Sequence, residues 1–171
     1  MDLYTISILL FVFFLILLSG FFSGSETALT AVSKPKIHQL EKKDAKAKIV
    51  SFLKSQKEKL ISTLLLGNNL VNTLATAIAT SLIINYSNDN EKAVIYSTCI
   101  MTALILIFGE VLPKTIAINK AEKLSLLFAP TIKVLVKILS PFTYLIHFLT
   151  RRILKLFKFQ ITSDIGTSED E

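Results

Sequence analysis

The amino-acid sequence predicts an all-α membrane protein, with three transmembrane helices and further helices along the cytoplasmic face. Three observations carry this. Apolar residues make up 51% of the 171 positions, with a mean hydropathy of +0.57. The apolar excess is gathered into blocks of bilayer length rather than scattered. The basic residues, which give a net charge of +6, cluster between those blocks. Lysines placed beside apolar spans report topology and contact with anionic lipid rather than nucleic acid. By length the chain is one domain.

The first span runs from about 3 to 22 and is nearly free of charge. It is not read as a cleaved leader: Asp2 is the only early charge, and no Ala-x-Ala site follows in the usual place. Its end, Ser19-Gly20-Phe21-Phe22-Ser23-Gly24-Ser25-Glu26, exchanges bulky residues for small and polar ones while the helix continues. Residues 33–59 hold nine Lys against three acids. Apolar Ile37, Leu40, Ile49, Phe52 and Leu53 within them predict one or two short amphipathic helices on the membrane surface. Pro35, just inside a Ser33 cap, suits the start of one.

The second span runs from about 60 to 84, interrupted early by Gly67-Asn68-Asn69-Leu70-Val71-Asn72. A polar turn at 85–92 leads to the third span, 93–110, which ends in Gly109-Glu110 ahead of Pro113. A fourth apolar stretch, 124–149, contains Lys133, Lys137, His147, Pro130 and Pro141. The positive-inside bias makes 33–59 cytoplasmic, so the N-terminus and the 85–92 turn lie outside. If the fourth stretch crossed, Arg151, Arg152, Lys155 and Lys158 would be outside, against that bias. An interfacial or re-entrant helix pair over about 124–158, broken near Pro141, keeps them and the C-terminus cytoplasmic. Residues 161–171 are acidic and polar and read as a linker. Tyr4, Tyr86, Tyr96 and Tyr144 are candidate interface anchors, and Cys99 in an apolar run has no disulfide partner.

Three polar interruptions thus fall near the inner ends of three spans: Ser19, Ser23 and Ser25; Asn68, Asn69 and Asn72; and Gly109-Glu110. Ser19 and Ser23 share a helix face, as do Asn68 and Asn72. Gly20, Gly24, Gly67, Gly109 and Pro113 are read as helix breaks that expose carbonyls. Hydroxyl, amide, carboxylate and carbonyl oxygens without Cys or His suit a hard cation such as Mg²⁺, Ca²⁺ or Na⁺. The competing reading of the serines and asparagines is helix packing. For Glu110 it is an ion pair with Lys114, four residues on. An intramembrane serine hydrolase would need a His beside Ser23 or Ser25, and no spacing provides one. The lysine run lacks the interleaved aromatics of a nucleic-acid surface.

Ser19-Gly20-Phe21-Phe22-Ser23-Gly24-Ser25-Glu26-Thr27-Ala28, Leu66-Gly67-Asn68-Asn69-Leu70-Val71-Asn72-Thr73 and Phe108-Gly109-Glu110-Val111-Leu112-Pro113-Lys114, in this order, resemble the membrane domain of the CorC/CNNM (cyclin M) magnesium-transporter family. The resemblance covers about residues 1–160. It implies a homodimer in the plasma or inner membrane, with three spans per subunit and juxtamembrane helices. It further implies Mg²⁺ efflux, coupled to Na⁺ entry, from an inward-facing cavity. Carried over residue by residue, the metal-site positions are Ser19, Gly20, Ser23, Asn68, Asn72, Gly109 and Glu110, with Gly24, Gly67 and Pro113 as structural breaks. The family continues into cytoplasmic CBS modules that bind nucleotide, toward which 161–171 would lead. The expectation is therefore a Mg²⁺ exporter core rather than an enzyme, bound to lipid and to its own copy and not to nucleic acid. A membrane sensor or scaffold that binds Mg²⁺ without transporting it is the alternative.

Overall fold

The computed structural model describes residues 2–87 and 89–156, and every regular element among them is helical. Helix α1 spans Leu3–Ala31, and α4 spans Lys57–Tyr86. They lie antiparallel. Thr5 and Tyr86 share a 2.6 Å hydrogen bond at one end, and Ser19 donates to Asn68 at 2.9 Å farther along. Leu15, Ile16, Phe22, Leu29, Leu60, Leu64, Val71 and Ala75 belong to the buried core. Between the two helices lie α2, Lys34–Leu40, and α3, Ala45–Ser55, the two amphipathic helices expected of the basic segment. Ser33 stands at the N-cap of α2 with Pro35 in its first turn, and Ile37 is buried.

Helix α5, Asn90–Leu104, starts behind Asp89, whose carboxylate accepts the Lys92 N–H at 3.1 Å. That amide bond, then the Lys92 ammonium, holds the Asp89 carboxyl below the usual carboxylate range. Thr80 and Ser97, 2.9 Å apart, tie α5 to α4. The chain then passes without interruption through a π-helical segment, Ile105–Val111, into α6, Leu112–Asn119. The third apolar helix is therefore 30 residues long, Asn90–Asn119, and continues past the expected end at 110.

Two expectations are corrected. Gly24 and Gly67 do not break their helices; α1 and α4 run straight through them. Glycine weakens a helix by only about 1 kcal/mol, and here it serves close approach instead. A Cβ on Gly67 would lie 2.5 Å from the Phe22 ring, and one on Gly20 would lie 3.0 Å from both the Phe108 carbonyl and Pro113 Cγ. Likewise Pro113 does not end the third helix but follows a change to the wider π register.

The second correction concerns the fourth stretch. It is one helix, α7, Ala121–Leu156, and it includes both Pro130 and Pro141. Each Pro removes one N–H from the ladder, while Ala129, Ile132, Val136 and Thr143 keep a buried stripe in register along the helix. The beginning of α7 lies against the short helices: Glu122 pairs with Lys36 of α2, and the Lys133 ammonium sits 5.6 Å from the Phe52 ring centroid of α3. Between them Phe128 meets Phe21 of α1 edge-on, with centroids 5.0 Å apart. By length and composition four helices among the described residues could cross a membrane: α1, α4, the α5–α6 helix and α7. Their outward faces carry large exposed apolar side chains, among them Leu10, Phe13, Ile95 and Val111, as a lipid-facing surface requires. The linker expected at 161–171 lies outside the described residues.

The glycines give a discriminating test. Gly67→Ala forces the buried Phe22 ring to move and should lower stability by about 1–3 kcal/mol. Gly24→Ala meets Pro113 Cβ at an ordinary 3.5 Å, and should be neutral or stabilising by up to about 1 kcal/mol. Thermal unfolding in detergent checks both; equal losses would contradict the close-approach account.

Candidate functional site

Ser19 is fully buried in α1 and marks the point where three helices meet. Its hydroxyl donates to Asn68 Oδ1 of α4. On its other side is Gly109 of the π segment, where a Cβ would fall 2.7 Å from Ser19 Oγ and 3.3 Å from Ser19 Cβ. Any other residue at 109 would push into the hydroxyl. The three polar interruptions of the sequence therefore do converge, through Ser19, Asn68 and Gly109. Because the Ser19 proton is directed at Asn68, the Ser19 lone pairs remain available to another group.

The other two side chains on these faces flank that junction. Ser23 lies four residues on along α1, and Asn72 four residues on along the antiparallel α4. Each is offset by about 6 Å, in opposite directions along the bundle axis. Ser23 Oγ and Asn72 Oδ1 are both buried and have no hydrogen-bond partner. Two more atoms share that condition, Ser25 Oγ and Thr63 Oγ1. Ser23 and Asn72 thus flank the Ser19–Asn68 contact on either side, whereas Ser25, two residues from Ser23, and Thr63, nine from Asn72, fall on the opposite faces of their helices. Leaving a buried hydroxyl or amide oxygen unpaired costs about 1–3 kcal/mol each. Ser23 Oγ and Asn72 Oδ1 carry that cost on either side of one contact. Thr63 was not singled out by sequence reasoning, although it sits four residues before Gly67 on the same buried stripe of α4. Asn69 is exposed, off the seam.

The π segment adds a backbone oxygen. The Leu112 N–H donates to the Ile107 carbonyl. The next carbonyl, Phe108, would need an N–H from residue 113 in the π register, and residue 113 is Pro. Phe108 O thus has no π-register donor at 113, and it faces Gly20 of α1. Glu110 follows Gly109 directly and is half-buried. Among the described residues it makes no ion pair, so the alternative of a Glu110–Lys114 bridge is not formed. Glu26, also half-buried, has no basic partner there either. No cluster of three or more His, Cys, Asp or Glu occurs among the described residues. The donor set is hydroxyl, amide and carbonyl oxygen with one nearby carboxylate, which fits a hard cation and no soft one.

Residues 10–171 match the family described as cyclin M transmembrane N-terminal domain. This chain belongs to that family. The cyclin M-type domain is 35% identical over 156 residues to the UPF0053 inner membrane protein YfjD of Escherichia coli, covering 88% of this chain and 35% of that protein. It is 33% identical over 158 residues to a UPF0053 protein of Haemophilus influenzae, covering 91% and 37%. It is 30% identical over 154 residues to a chloroplastic DUF21 domain-containing protein of Arabidopsis thaliana, covering 90% and 23%. The chain thus spans about a third or less of the length of these relatives.

The Ser19–Gly109 contact makes the cyclin M-type junction testable by a double-mutant cycle. Gly109→Ala alone should destabilise the protein and displace the Ser19 hydroxyl from Asn68. Adding Ser19→Ala removes the colliding oxygen, so the pair should lose less than the sum, with a coupling of about 0.5–3 kcal/mol. Additive losses in thermal unfolding would refute the contact.

Proposed function

We propose that this domain moves Mg²⁺ across the plasma or inner membrane, past the Ser19–Asn68 contact between α1 and α4, in exchange for Na⁺. The observation that carries this is the set of buried oxygens without partners on both sides of the Ser19–Asn68 contact. A packing interface would pair them; a pathway for a dehydrated cation needs them free. Mg²⁺ takes six oxygens and gives up water reluctantly. Ser23, Ser19, Asn68, Asn72 and the Phe108 carbonyl would replace that water in part, and Glu110 would supply the charge. Gly20 and Gly109 act by letting the backbones come close. Sites spread along a seam, each incomplete, favour entry without trapping the ion, which is what transport requires.

The proposed membrane arrangement has three spans, α1, α4 and α5–α6, with the N-terminus outside. Helices α2, α3 and α7 lie at the cytoplasmic face, and two copies assemble as a dimer. Nucleotide would act only through cytoplasmic modules beyond this domain. The lysine-rich α2–α3 segment fixes the orientation by the positive-inside bias. In a Cys99→Ser background, Asn90→Cys should react with an impermeant maleimide from outside intact cells, and Lys43→Cys only after permeabilisation. The reverse labelling would invert the topology.

Flux decides between a transporter and a sensor. In vesicles carrying the full-length protein, an imposed Na⁺ gradient should drive Mg²⁺ movement. Glu110→Gln and Ser23→Ala should each reduce it by at least about tenfold, the effect of losing one charged or buried ligand worth some 1.4 kcal/mol or more, without loss of folded protein. Saturable Mg²⁺ binding with no flux would support the sensor reading. Undiminished flux in both variants would remove Glu110 and Ser23 from the pathway.

A further inference from the structure

At the end of the bundle where α1 finishes and α4 begins, two cavities of about 460 and 430 Å³ share Lys34 and Lys54 in their walls. Lys57 lines the second, at the N-terminus of α4. No acidic residue lines either cavity. None of these three lysines has a carboxylate within ion-pair distance among the described residues, although Lys36, His38 and Lys92 nearby in sequence or elsewhere each do. Like charges gathered around a cavity with no counter-charge leave a vacancy for an anion.

Lys54 is held in place. Its ammonium donates to the Val32 carbonyl and reaches that of Thr30 at 3.5 Å, at the exposed C-terminal turn of α1. Burial, then the charges of Lys34 and Lys57, push its pKa down; a bound anion would offset the repulsion from the two neighbouring lysines. The other walls are apolar. Leu29, Leu60 and Ile61 line the second cavity. Lys57, Ile61 and Leu65 follow at four-residue intervals on one face of α4, so charge gives way to apolar surface toward the lipid-facing belt. Leu65 is 46% exposed. Soluble phosphate would use the lysines and leave that strip bare.

We propose that these cavities bind the phosphate of an anionic phospholipid, whose acyl chains lie along Ile61 and Leu65. The site is independent of the ion pathway and depends only on the domain's place in a membrane. Basic recesses between helices at a membrane surface are suited to such headgroups.

The test is a titration of the detergent-solubilised full-length protein with short-chain phosphatidylglycerol, phosphatidylcholine and inorganic phosphate, read by native mass spectrometry. Phosphatidylglycerol should bind in defined stoichiometry and the other two weakly. Lys34→Gln with Lys57→Gln should weaken binding by about fivefold for each charge removed, and the corresponding Arg pair should retain it. Lys42→Gln with Lys43→Gln, which removes equal charge from the same segment outside the cavities, should have little effect. If the double Gln variant does not fold, Lys57→Gln alone is read in the same way. Equal loss in the Lys42/Lys43 pair, unchanged binding in the cavity variants, or equal binding of inorganic phosphate would each overturn the proposal.

Discussion

How closely α1 can approach the π segment governs the rest of the bundle. Lipid gives no hydrophobic drive for helices to associate, so packing and interhelical hydrogen bonds must do it. Gly20 and Gly109 bring the two backbones to a separation at which one methyl group would collide. A hydrogen bond between membrane helices contributes on average only about 0.6 kcal/mol, whereas an added buried methylene costs about 1–3. Steric permission, rather than the Ser19–Asn68 bond, sets the geometry. The bond then chooses the direction in which the Ser19 proton points. Because α4 is joined to the same serine, all three helices are positioned by one residue of α1.

The π register follows from the same crowding. In an α-helix the ring of Pro113 would press on the Gly109 carbonyl one turn back. Widening the turn relieves that pressure and keeps the helix continuous to Asn119. The consequence is chemical as well as mechanical: a carbonyl loses its N–H within the membrane, where no water can replace it. Short π segments recur at functional sites for this reason. Here the freed oxygen, the unpartnered Ser23 and Asn72 and the Glu110 carboxyl are all products of local departures from ideal helix packing.

Much of this was legible in the sequence. Blocks of apolar residues located α1, α4 and α5, and the spacing of Ile37, Leu40, Ile49, Phe52 and Leu53 among the lysines located α2 and α3, because a bilayer permits few other solutions. The meeting of Ser19, Asn68 and Gly109 followed from matching depth. What the glycines do was not legible. A glycine in a span can break a helix or admit a neighbour, and only the Phe22 ring beside Gly67, or the Phe108 carbonyl beside Gly20, distinguishes the two. The offset of Ser23 and Asn72 was hidden for a related reason: four-residue spacing gives a shared face on each helix, but the antiparallel run of α4 sends the two offsets apart. Thr63 carried no signal beyond its register with Gly67. Pro141 misled because proline is a strong breaker in isolation, whereas in α7 the stripe of Ala129, Ile132, Val136 and Thr143 holds the helix together.

Helix α7 is long enough to cross a bilayer, and the energetics oppose its doing so. Lys133 and Lys137 lie near its middle, and neither has a carboxylate partner among the described residues. A lysine at the centre of a span costs roughly 2.5–3.5 kcal/mol, and the single Phe52 contact returns about 0.5–2 for one of them. The proposed surface position would avoid that penalty and is compatible with the contacts observed. Glu122 and Lys133, about 16 Å apart along the helix, both reach the short surface helices, one α2 and the other α3. Those two contacts hold the first part of α7 against the short helices. It also joins that layer to α1 through Phe128 and Phe21. Phe21 lies between Gly20 and the Phe22 that fills the space beside Gly67, so a shift of α7 reaches the close approaches at both glycines within one residue of α1.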